Sequence, residues 1–110
     1  MRHPALSDSR QRLKAAEVYG EVERLAFGPG GPPPVEWCVA RLREITTDAV
    51  VLGHILGSYL AYADRSDRYQ PAVDMLRAAG ADEGQAERKA AWLRQESVKV
   101  GTCSRRSLHP

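Results

Sequence analysis

From Ala49 to Ala63 no side chain carries a fixed charge, while charged residues crowd both flanks. Read at about 100° per residue, Leu52, Leu56, Tyr59, Leu60 and Ala63 share one helical face. Ala49, Gly53, Gly57 and Ala61 form a row one turn apart beside that face, and Val51, Ile55 and Tyr62 close the far side. A helix that is apolar nearly all round is a buried helix. The run is shorter than the ~20 residues a spanning segment needs, and it contains His54 and Ser58. The remainder of a 110-residue chain, or the same helix of a second copy, must therefore cover it. The expected fold is all-α, a small bundle of four or five helices around residues 47–64.

The flanking segments divide accordingly. Residues 1–27 read as an N-terminal docking helix, with Ser7 or Asp8 as its cap and Gly28 as a left-handed stop. Ala15, Val18, Tyr19, Val22, Leu25 and Ala26 share its apolar face, and Glu17, Glu21, Glu23 and Arg24 fall outside it. Residues 28–34, Gly-Pro-Gly-Gly-Pro-Pro-Pro, continue no helix and form a linker that delivers Pro34 to the first turn of the next one. A proline-rich ligand for another domain is the weaker reading of the same stretch.

Residues 35–96 form the helical core. Val35, Cys38, Val39, Leu42 and Ile45 mark the face of a second helix. Thr46-Thr47-Asp48 predicts a break, with a threonine capping the central helix and Asp48 in its first turn. One kinked helix over 35–63 is the alternative. Pro71 opens a fourth helix ended by Gly80, with Val73, Leu76 and Met75 inward. Asp82 and Gln85 have capping-box spacing at the head of a fifth, expected to reach about Glu96 with Ala86, Ala90 and Leu93 inward. Beyond Ser97 the periodicity fails, so residues 97–110 read as a loose basic tail.

Charge follows this division. The net +2 arises as +1 over residues 1–34, −2 over 35–96 and +3 over 97–110. The body is not a basic surface, which argues against nucleic acid as the main ligand. Lys99, Arg105 and Arg106 are weak candidates for phosphate contacts that would be salt-sensitive and sequence-independent. Arginine outnumbers lysine thirteen to three, which associates the chain with a GC-rich bacterial genome. The N-terminus has no apolar h-region, so Cys38 and Cys103 are expected to be reduced thiols in a cytoplasmic protein.

Little in the sequence has the spacing of catalysis. His54 and Ser58 lie one turn apart with Tyr62 a turn further on, but no orienting acid or oxyanion hole is indicated beside them. The expected role of Ser58 is a bond to the carbonyl one turn back. No Cys-x-x-Cys, His-Glu-x-x-His or glycine-rich phosphate loop occurs, so no metal and no cofactor is expected.

Trp37 falls off the apolar stripe of its helix beside Arg41 and Glu44, and Trp92 off its own among Arg88, Lys89 and Glu96. Packing by a second neighbour is the first reading of such a residue, and an exposed aromatic flanked by arginine is the other. An arginine stacked on an exposed indole is the composition of an interface anchor. Trp37, Arg41, Arg88 and Trp92 form the candidate partner surface. Ala49, Gly53, Gly57 and Ala61 are the helix-packing or self-association candidates, because glycines on one helical ridge admit close approach of another backbone. The expected function is a small, non-catalytic interaction or regulatory module, self-associating, whose partner is a protein or a second copy. A DNA-binding regulator using the fifth helix and tail is the alternative, and an enzyme with a site near His54 is third.

Overall fold

The computed structural model describes residues 6–63 and 66–108, with side chains as far as Glu96. It consists of α1 (Ser9–Phe27), α2 (Val35–Ile45), α3 (Ala49–Ala63), a 3-10 turn (Asp67–Tyr69), α4 (Gln70–Ala78) and α5 (Glu83–Leu108). The protein is an all-helical bundle. α3 is its hub, with α5, α4 and α1 packed around it, while α2 packs chiefly on α1 and α4.

The central helix is buried as its sequence requires. Leu52 and Leu56 have no accessible surface, and Val51, Ile55 and Tyr59 are also buried. Val18 and Val22 of α1, Leu42 of α2, Val73, Met75 and Leu76 of α4, and Ala86 of α5 complete one contiguous core. Leu60 and Ala63 are only half-buried and Tyr62 is exposed, because the last turn of α3 runs to the edge of the bundle.

Local chemistry sets the helix ends. Asp8 caps α1, its Oδ1 accepting from the Gln11 amide at 2.8 Å. Gly28 does not stop that helix in the left-handed region; its backbone is extended at φ −72°, ψ 165°. A Cβ there would lie 2.4 Å from the Arg24 carbonyl oxygen, which is the physical reason for a glycine. Pro34 stands at the N-cap of α2, one position earlier than a first-turn proline. Gly80 does adopt a positive φ of +100°, where a side chain would be strained. Asp82 caps α5 by accepting from the Gln85 amide at 3.0 Å.

Two helices, not one kinked helix, span residues 35–63. The cap of α3 is Asp48 and not a threonine. Its Oδ1 accepts from the Val50 amide at 2.9 Å, while its other oxygen receives Gln11 Nε2 at 3.0 Å. Thr46 supports the turn by accepting from the Asp48 amide. The Gln11 hydrogen bond, followed by the backbone bonds of Val50 and Val51, holds the Asp48 carboxyl below its usual range against an opposing effect of burial. A depressed folded value stabilises above the unfolded pKa, near 3.9, and that stability is lost as pH falls through the folded value. Asp48→Asn should therefore flatten the acid limb of the stability–pH curve below about pH 4. Asp48→Ala should in addition cost ~0.5–2 kcal/mol at neutral pH through the lost cap. Denaturant melts from pH 2 to 7 check both.

α5 does not stop near Glu96. Its helix continues to Leu108, so the expected loose tail is helical that far. Adding residues to an existing helix is easy once its nucleus is formed, and no proline follows until Pro110. The side chains of Lys99, Cys103, Arg105 and Arg106 lie outside the described residues, as do His3, Asp64 and His109 entirely. Among the described residues no helix is long and apolar enough to cross a membrane.

Candidate functional site

The small-residue row on α3 is covered by α5 of the same chain. A Cβ on Gly53 would lie 2.5 Å from the Asp82 carbonyl oxygen. One on Gly57 would lie 2.5 Å from the Lys89 Cβ and 2.6 Å from the Ala86 oxygen. The Asp82 amide donates to the Ala49 carbonyl at 2.9 Å, and Arg94 Nη2 donates to the Leu60 carbonyl at 2.8 Å. Ala61 is buried. Gly53 and Gly57 thus seat α5, while Ala49 at the head of the row stays exposed, and a second chain has no access to the seam at the two glycines.

The four residues of the expected partner surface do not form one patch. Trp37 on α2 is 48% exposed, and the Arg41 guanidinium lies 5.9 Å from its ring centroid. Arg41 is held in place by Glu44 at 2.6 Å and by Glu21 of α1 at 3.8 Å, and Glu21 also pairs with Arg24. Val35, 41% exposed, lies on the same helix. Trp92 is half-buried on α5, and the cation over its ring is Lys89, at 5.1 Å, not Arg88. Arg88 instead donates to Gln85 of its own helix.

The Ser58 hydroxyl donates to the His54 carbonyl one turn back, at 3.4 Å. Among the described residues no group of three or more His, Cys, Asp or Glu side chains comes together as metal ligands would.

The structure also assembles a site that periodicity did not indicate. Tyr19, Glu23 and Phe27 of α1, Tyr59 and Tyr62 of α3, Arg68 and Tyr69 of the 3-10 turn, and Lys89 of α5 converge on a cleft of about 330 Å³. These are all four tyrosines and the one phenylalanine of the chain. Tyr19 and Tyr59 stack with centroids 5.9 Å apart, and Tyr69 meets Phe27 edge-on at 6.1 Å. Arg68 lies 5.2 Å from the Phe27 ring centroid.

The Tyr59 hydroxyl donates to Glu23 at 2.6 Å, so Glu23 is drawn inward from the outer face assigned to it by the helical wheel. Burial first, and then Glu23, pushes the Tyr59 phenol far upward and the Tyr19 phenol upward as well. Burial alone lowers the Lys89 ammonium. The concentration of a scarce residue type into 19–69 was the available signal, but only helix crossing brings those rings together.

Comparison with protein-family models, with characterised proteins and with solved structures finds no match.

Proposed function

We propose that the protein is a small cytoplasmic interaction module that acts by binding rather than catalysis, and that it self-associates through the outer face of α2. The observation that carries this reading is the exposed Trp37 ring with Arg41 fixed over it by two carboxylates. An aromatic side chain already ordered on the surface loses little freedom on docking, which is the physical basis of an interface anchor. The occupant is a second copy of the chain. A two-fold contact must be complementary to itself, and this face presents both signs, with Glu36 and Glu44 alternating with Arg41 around Trp37. Self-association therefore moves from the glycine row, which α5 fills, to α2.

Sedimentation equilibrium tests the proposal. The wild-type mass should rise with concentration above 12.1 kDa. Trp37→Ala should weaken pairing by ~2 kcal/mol or more, about thirtyfold in dissociation constant, with helicity unchanged. A wild-type protein that stays monomeric at millimolar concentration overturns the proposal, as does a variant that pairs equally well. The nucleic-acid reading draws on Arg88 and Arg94, exposed on α5, and on Lys99, Arg105 and Arg106 along its continuation. Duplex binding with a steep salt slope would put that reading first.

A further inference from the structure

We infer that the tyrosine-lined cleft between α1, α3, the 3-10 turn and α5 binds a small aromatic anion, a single flat ring carrying a carboxylate or phosphate. The proposal is independent of the α2 face and concerns a different surface.

Size selects the ligand first. A cavity of about 330 Å³ lies at the small end of ligand pockets, which run from ~300 to 1,000 Å³. It accommodates one ring and one charged group, not a folded segment of another protein. The walls select flatness. Tyr59 is buried, Tyr19 is stacked on it, and Tyr62 and Tyr69, tilted against one another at 6.5 Å, line the same cleft. Aromatic rings favour offset stacks and edge contacts with another ring, so a planar ligand gains on several sides at once.

Charge selects the sign. The cleft is lined by two basic side chains, Arg68 and Lys89, and by one acid, Glu23. Glu23 already accepts the Tyr59 hydroxyl, which turns part of its acceptor capacity toward the protein. The alternative of a cationic guest in an aromatic cage meets a direct obstacle, since Arg68 of the chain itself already lies over the Phe27 face. A guanidinium presents planar paired donors suited to carboxylate or phosphate. Arg68 is exposed at the rim, where it can turn to an arriving anion.

The test titrates the full chain with phenyl phosphate, following tyrosine ring resonances and heat, with inorganic phosphate and phenol as separate probes. Phenyl phosphate should saturate, and should bind at least about tenfold more tightly than either half alone. Arg68→Gln and Tyr62→Ala, both at exposed positions, should each weaken it about tenfold, with circular dichroism confirming the fold. Glu23→Gln keeps an acceptor for Tyr59 and removes a negative charge, so it should tighten binding. The inference is overturned by a failure to saturate at ~10 mM. It is equally overturned if inorganic phosphate or phenol binds as tightly as the combined probe, or if affinity is the same in folded Arg68→Gln and Tyr62→Ala.

Discussion

Gly57→Leu is expected to be the most damaging conservative-looking change in the protein. A Cβ at that position already falls 2.5 Å from the Lys89 Cβ and 2.6 Å from the Ala86 carbonyl oxygen, well inside contact distance. One of these is backbone, which cannot rotate away, so α5 must move off α3 to admit even the first carbon. Overpacking a rigid contact costs ~1–3 kcal/mol, and three further carbons on a helix-to-helix seam should place the loss at or above the top of that range. A small domain has only ~5–15 kcal/mol in total. Thermal unfolding should shift down by ten degrees or more, on the order of 4–8 °C per kcal/mol for this size. The pairing proposed for α2 should be the same in this variant as in the wild type under conditions where the variant is folded. Unchanged stability would mean that α5 does not approach α3 as described.

Leu56→Ala should produce a loss of similar size by the opposite route. Leu56 is fully buried at the centre of the hub helix, within one core to which all five helices contribute. Deleting its side chain removes favourable burial and leaves a cavity that the bundle can only partly close, a combination that costs ~2–5 kcal/mol. Leu60→Ala is the internal comparison, since Leu60 lies one turn on but is half-buried. It should cost distinctly less in the same denaturant titration. Equal losses at the two positions would show that the last turn of α3 is as enclosed as its middle.

Sequence and structure agree where the determining physics is local. The charge-free run of 49–63, the caps at Asp8 and Asp82 and the turn at Gly80 each follow from residues a few positions apart. Disagreements arise where partners are distant or local preferences compete. Asp48 caps α3 with one oxygen and takes Gln11 of distant α1 on the other, a partner that no local pattern indicates. The helical wheel leaves Glu23 in solvent, yet Tyr59 reaches it across the α1–α3 contact. The spacing of Ala49, Gly53, Gly57 and Ala61 announces a close neighbour but contains nothing that says which helix it is. The cleft is the least legible feature, since it depends on crossing geometry and on a 3-10 turn that reads in sequence only as a charged loop.

The seam between α3 and α5 has a consequence for how the chain is made. Synthesis completes α3 at Ala63, but the segment that seats against Gly53 and Gly57 begins only at Asp82 and runs to Lys89. At ~5–20 residues per second, the most apolar helix waits on the order of 2–9 seconds for α5 to be translated to its end at Leu108. Throughout that interval its glycine ridge is a naked slot shaped for any passing helix. A nascent chain stalled before Asp82 lacks the helix that covers this ridge and leaves it bare.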